Sequence, residues 1–112
     1  MVQSFRDLHV WQRSMDLAVV VYRLTRAFPR EELYGLTSQM RRSAVSIPSN
    51  STGEFRQFLG VARGSNSELQ TQIQIARRLQ FGDEKLLDEG EGLSHEIGKM
   101  LFSMLESLTA SD

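Results

Sequence analysis

The side chains best equipped for chemistry in this chain are its arginines. Eleven of the thirteen cationic residues are arginine, and two adjacent pairs, Arg41 with Arg42 and Arg77 with Arg78, join Arg56 and Arg63 on segments whose apolar spacing predicts helices. A guanidinium offers a planar fork of donors that fits phosphate and carboxylate equally well. Arg41, Arg42, Arg56, Arg63, Arg77 and Arg78 are therefore candidate contacts for RNA or DNA, in a mode of weak sequence preference and steep salt dependence. The competing use is internal. Arg41 and Arg42 could pair with Glu54, Glu68 or acids near the C-terminus, and Arg77 and Arg78 could serve the end of a helix.

Other chemistries lack their residues. The chain has no cysteine, which removes disulfides, thiolate metal sites and thiol nucleophiles. Its two histidines, His9 and His95, fall on different predicted helices. Glu91 and His95 have i, i+4 spacing, but the repeated Glu-x-x-His motifs of di-iron bundles do not occur. Ser94, His95 and Glu96 are consecutive, so a helix sends them in different directions and they cannot act as a triad. Nor is there a phosphate-binding G-x-x-x-x-G-K-S/T or a dinucleotide G-x-G-x-x-G. We expect no enzyme, no metal and no cofactor.

The length of 112 residues and a hydrophobic content of 40% suit one domain with one core. The longest apolar run, Leu17 to Tyr22, is far short of the roughly 18 residues of a membrane span, and no secretory pattern opens the chain. The expected compartment is the cytoplasm. A formal net charge of −1 conceals a division: residues 1–80 hold eleven of the thirteen cations against six acids, and residues 81–112 hold two against eight. Such a split either holds acidic and basic elements together or presents a basic surface to a polyanion.

Punctuation by proline and glycine predicts four helices, at about 8–28, 37–48, 52–81 and 83–109. Asp7 is the expected N-cap of the first and Pro29 its stop, with Pro29 to Glu32 forming a single turn before Gly35. Pro48 should end the second near Ile47. Ser51 and Glu54 make a capping box for the third. Gly64 and Ser65 interrupt its stripe, where another helix could approach closely. Gly82 fits a C′ position and Asp83 the next N-cap, a turn short enough to require antiparallel neighbours. Met15, Met40, Met100 and Met104 read as adaptable core filler. The last residues, Ala110 to Asp112, should fray.

The first helix is apolar twice. Leu8, Trp11, Met15, Ala18, Val19 and Tyr22 form the stripe expected to face the core. Val10, Leu17, Val21, Leu24 and Phe28 lie roughly opposite. A peripheral helix of a small monomer needs one stripe, so these five are the candidate oligomer interface, covered by another copy of the chain. The alternative is that this helix is simply the most enclosed one of the monomer.

Several of these stretches together resemble a known family. Phe5-Arg-Asp-Leu-His-Val-Trp-Gln12 is similar to the F-x-x-L-x-V-W opening of the bacterial four-helix-bundle proteins known as 23S rRNA intervening-sequence proteins. Gly35-Leu-Thr-Ser-Gln-Met-Arg-Arg-Ser-Ala-Val-Ser-Ile-Pro-Ser-Asn50, Glu54-Phe55-Arg-Gln-Phe-Leu59 and Gly64-Ser65-Asn-Ser-Glu-Leu-Gln-Thr-Gln72 resemble its later motifs. The likeness spans roughly residues 5 to 80; the fourth helix is similar only in composition. It implies an all-α, antiparallel up-and-down four-helix bundle assembling as a homopentameric ring, without established enzymatic activity. Related accessory proteins of diversity-generating retroelements share the fold and bind nucleic acid and a reverse transcriptase through a basic surface of the ring. The resemblance thus implies self-association, structured RNA or DNA as partner, and a protein partner such as a reverse transcriptase. One departure stands out. After I-P-S-N the family continues with a glycine-rich basic stretch of the type I-A-E-G-x-G-R, whereas here Asn50 runs directly into Ser51. Two functions compete: an oligomer that binds RNA or DNA through gathered arginines, and a protein-interaction scaffold in which the arginines serve assembly.

Overall fold

The computed structural model describes residues 5–49 and 55–111, with side chains described for 8–49 and 55–108. The Ser51–Glu54 capping box and the junction of Asn50 with Ser51 lie outside the described residues. Four helices form: α1 (Phe5–Thr25), α2 (Leu36–Ser49), α3 (Phe55–Arg78) and α4 (Glu84–Ser111). α1 and α2 are joined by a single 3-10 turn at Arg30–Glu32. Each helix packs on two neighbours: α1 on α2 and α4, and α3 on α2 and α4. This is an up-and-down bundle, with α1 diagonal to α3 and α2 diagonal to α4. It measures 47 × 22 × 18 Å.

The boundaries have local causes. α1 starts at Phe5, so Asp7 lies inside its first turn and is not its cap. At the start of α2, Gly35 donates its N–H to the Glu32 carbonyl (3.0 Å) and accepts from Gln39 (3.0 Å). The Glu32 carboxylate accepts the free N–H of Leu36 (3.2 Å), so the cap comes from the preceding turn. α2 continues through Pro48 to Ser49, and Pro48 is buried. α3 ends earlier than expected because Gln80, two residues ahead of Gly82, already takes the left-handed conformation (φ 61°). Phe81 N–H then reaches the Ala76 carbonyl (2.9 Å) and Gln80 N–H the Arg77 carbonyl (3.1 Å), the paired bonds of a Schellman motif. Gly82 is needed for a different reason. Its φ is +82°, and a Cβ there would stand 2.5 Å from Leu24 Cδ1 and 3.0 Å from Phe28 Cε1. Asp83 directly precedes α4 and its carbonyl accepts the Leu87 N–H (3.0 Å).

The core reverses the expected orientation of α1. Val10, Leu17, Val21, Leu24 and Phe28, expected at a subunit interface, are buried in the monomer's own core beside Met40, Ile47, Leu59, Leu69, Ile73, Ile97 and Leu101. Leu8, Met15, Val19 and Tyr22, expected inside, are 40–48% exposed. Two hydroxyls belong to the inward face. Ser14 and Thr25 complete the inward face in the series 10, 14, 17, 21, 24/25, 28, and both are buried. Each returns its O–H to a carbonyl one turn back, Ser14 to Val10 (2.7 Å) and Thr25 to Val21 (2.8 Å), so neither needs water. Read as polar gaps, they hide the longer stripe. Met40 and Met104 are core residues, but Met15 is on the surface.

α3 shows the same effect. The gap at Gly64 and Ser65 is filled by Asn66, which is 3% exposed. Its amide donates to the Ser94 carbonyl (3.0 Å) and its Oδ1 accepts the Ser94 hydroxyl (2.8 Å). A Cβ at Gly64 would meet nothing within 4 Å, so Gly64 faces open space. The close approach occurs on α4, where a Cβ at Gly98 would sit 3.3 Å from the Asn66 amide nitrogen.

Candidate nucleic-acid interface

The six candidate arginines divide by what the bundle puts next to them. Arg77 points from α3 to α4 and lies 3.1 Å from Asp88 and 2.8 Å from Glu91. Glu91 also accepts from Gln74 (2.8 Å), so both of its oxygens are engaged by α3. Arg13 likewise binds Glu96 of α4 (3.0 Å). Part of the acidic excess of α4 therefore neutralises its neighbours on either side. It does not reach α2, which lies diagonally across the bundle and makes no contact with α4 among the described residues.

On α2 the two adjacent arginines have different settings. Arg41 is half-buried; its Nε donates to Thr25 Oγ1 (2.9 Å), and its guanidinium carbon lies 4.6 Å from the centre of the Tyr22 ring. Stacking and tether together fix the plane of the guanidinium. Arg42 is exposed and has no hydrogen-bond or ion-pair partner among the described residues. Glu68, one of the expected partners, instead accepts the Ser43 hydroxyl (2.6 Å).

Arg56, Arg63 and Arg78 are exposed on α3. At 100° per residue their spacing keeps all three within about 60° around the helix, along about 33 Å of its length. Arg63 and Arg78 have no charged partner among the described residues.

Two open grooves flank α2. One, of about 650 Å³, runs over the junction of α1, the connecting turn and α2, lined by Tyr22, Leu33, Tyr34, Arg41, Arg42 and Val45 with serine and threonine hydroxyls between them. The other, of about 580 Å³, lies between α2 and α3 and is lined by Gln39, Arg42, Glu68, Thr71, Gln72 and Ile75. Arg42 belongs to both. Among the described residues no group of three or more histidine, aspartate or glutamate side chains could hold a metal ion. None of the helices is long and apolar enough to cross a membrane.

Residues 6–103 match the sequence profile of the family described as 23S rRNA-intervening sequence protein. The chain belongs to that family. No curated protein matches it.

The stretch Gly35 to Ser49 is α2 with the residue before it, so one of the motifs that carry the resemblance also builds a wall of both grooves. Sequence reasoning selected Arg41, Arg42, Arg56, Arg63 and Arg78, which face solvent or a groove, and also Arg77, which α4 occupies. It passed over Tyr34, which is 93% exposed, and Tyr22 as a stacking partner. Tyr34 carries a readable signal, an aromatic inside a polar connection just ahead of a helix start. The pairing of Tyr22 with Arg41 joins residues of two helices and has none.

Proposed function

We propose that this member of the 23S rRNA-intervening sequence family is a non-enzymatic, homo-oligomeric four-helix protein that binds RNA or DNA through arginines of α2 and α3 gathered on the oligomer. The observation that carries the reading is the uneven neutralisation of the arginines. The acids of α4 take Arg13 and Arg77, while Arg42, Arg63 and Arg78 stay without a charged partner among the described residues. Unpaired cations on adjoining helices form a positive surface suited to phosphates.

Self-association is supported by the apolar residues that the core leaves out. Leu8, Met15 and Val19 follow one another along the outer face of α1 at 40–48% exposure, a stripe of the kind that a second copy covers. The copy number that the family resemblance implies is five, and symmetry would repeat the basic surface around the ring.

A mobility-shift titration with structured RNA across a range of salt tests the binding. Affinity should vary little with sequence and fall steeply as salt rises. Absence of binding at low salt, or binding indifferent to charge reversal at Arg42 and Arg63, would refute it. Light scattering tests the assembly: the expected mass is several times the monomer's 12.8 kDa. A second reading, a scaffold that binds protein such as a reverse transcriptase, is favoured by Phe102. That side chain is 53% exposed, on the outer face of α4 with His95, Lys99 and Glu106. Charge reversal at Arg42 and Arg63 that leaves partner capture intact would select it.

A further inference from the structure

We propose that the groove over α1, the connecting turn and α2 takes unpaired nucleotides, with a base stacked on Tyr34 and the adjoining phosphate held by Arg41 and Arg42. This rests on the nucleic-acid reading above and adds which strand form is selected.

Three features of the groove converge on that ligand. The first is Tyr34. A tyrosine in a folded protein commonly buries its ring and leaves its hydroxyl wet. Tyr34 is 93% exposed, which leaves both ring faces open for a flat apolar partner. Leu33 and Val45, 47% and 40% exposed, give the groove an apolar lining beside it. The second is the state of Arg41. With its Nε held by Thr25 and its plane laid on Tyr22, the guanidinium loses little further freedom when its remaining N–H groups meet an anion. The third is the charge of the lining. Among the described residues the lining holds two arginines and no acid, and Arg42 has no ion-pair partner.

This combination separates single strands from duplexes. In a duplex the bases are stacked on each other and only phosphates and groove edges meet a flat surface, so an exposed tyrosine adds nothing. Unpaired bases can leave the stack and lie on an aromatic side chain while a nearby guanidinium takes the backbone. Bound so, a strand meets Arg42 at the point where the two grooves share it. The shared chemistry is that of a base joined to a phosphodiester, found in loops and ends of RNA and in single-stranded DNA.

The test uses the full chain in its native assembly, with a labelled mixed-sequence oligoribonucleotide, its deoxy counterpart, and each annealed to a complement, all read by fluorescence anisotropy at low salt. Tyr34→Ala should weaken single-strand binding by about 5- to 150-fold, the range found for losing one base-stacking contact. Duplex affinity should stay unchanged, and Tyr34→Phe should retain the wild-type preference. The ribo and deoxy probes assign which strand carries the chemistry. Equal weakening of single strand and duplex, or no weakening of either, overturns the proposal while leaving the nucleic-acid reading standing. A wild type that binds no single strand overturns the proposal, and one that binds none of the four probes overturns both. A change of assembly mass on Tyr34→Ala, by light scattering, also overturns it and assigns the groove to a contact between copies.

Discussion

Leu17 and Val19 are two residues apart on α1, yet the structure puts one at 0% and the other at 48% exposure. Leu17→Ala removes three carbon atoms from the core. At about 0.8 kcal/mol per buried methylene the transfer contribution is about 2.4 kcal/mol. The cavity left among rigid neighbours raises the total to about 3–5 kcal/mol. Against a typical domain stability of about 5–15 kcal/mol this is a large loss. Val19→Ser changes a half-exposed site, and in the isolated monomer it should shift stability by no more than about 0.5 kcal/mol. If another copy covers Val19, the cost of that substitution appears only at concentrations where the protein is assembled, because association stabilises by mass action. The assay is urea unfolding followed by far-ultraviolet circular dichroism at low and high protein concentration, with light scattering alongside. Leu17→Ala should lower the midpoint at both concentrations and Val19→Ser only at the higher one. A dilute Val19→Ser protein less stable than dilute Leu17→Ala would refute the inward assignment of Leu17 and the reasoning built on it.

Four further outcomes follow from particular contacts. Gly82→Ala should cost at least about 1–2 kcal/mol for a left-handed non-glycine residue, and more as Leu24 and Phe28 yield to the new Cβ; an unchanged melting temperature would contradict it. Asn66→Ala and Ser94→Ala should each cost about 1–3 kcal/mol by leaving a buried group unpaired. Since the two residues bond each other, their double mutant should cost less than the sum, as a double-mutant cycle in urea will show. Gln72 is 6% exposed and its Oε1 is the one buried side-chain oxygen without a partner among the described residues. Gln72→Leu should therefore be neutral or raise the urea midpoint, and a marked fall would mean that the oxygen is used. Arg78→Gln should reduce the salt dependence of nucleic-acid binding by about one unit of log–log slope if Arg78 contacts a phosphate. Arg77→Gln should leave that slope unchanged, because its charge is already engaged by Asp88 and Glu91.

The number of helices was legible in the chain because prolines, glycines and 3.6-residue spacing act locally. Both ends of α2 and the start of α4 lie within one residue of the expected positions, whereas α1 starts and ends three residues early, at Phe5 and Thr25. The end of α3 was harder. Gln80 adopts a left-handed conformation that residue type does not announce, while Gly82 answers to Leu24 and Phe28 across the bundle. The candidate site was legible as a set of arginines, but not which of them keep their charge available. Arg77 and Arg78 are neighbours in sequence, and only the position of α4 engages one and leaves the other exposed.

By itself, the sequence determined an all-α chain with a basic first part and an acidic last helix, without cysteine and with motifs that resemble one family. Tertiary structure decided which apolar stripe of α1 faces inward: α2 and α4 pack on the face of Val10, Leu17, Val21, Leu24 and Phe28, and Ser14 and Thr25 share that face with their hydroxyls bonded one turn back. It also decided that Thr25, so buried, accepts a bond from Arg41 and orients it over Tyr22. Periodicity records which residues share a face. It does not record which face a neighbouring helix will cover, because that depends on hydrogen bonds and packing between residues far apart in the chain.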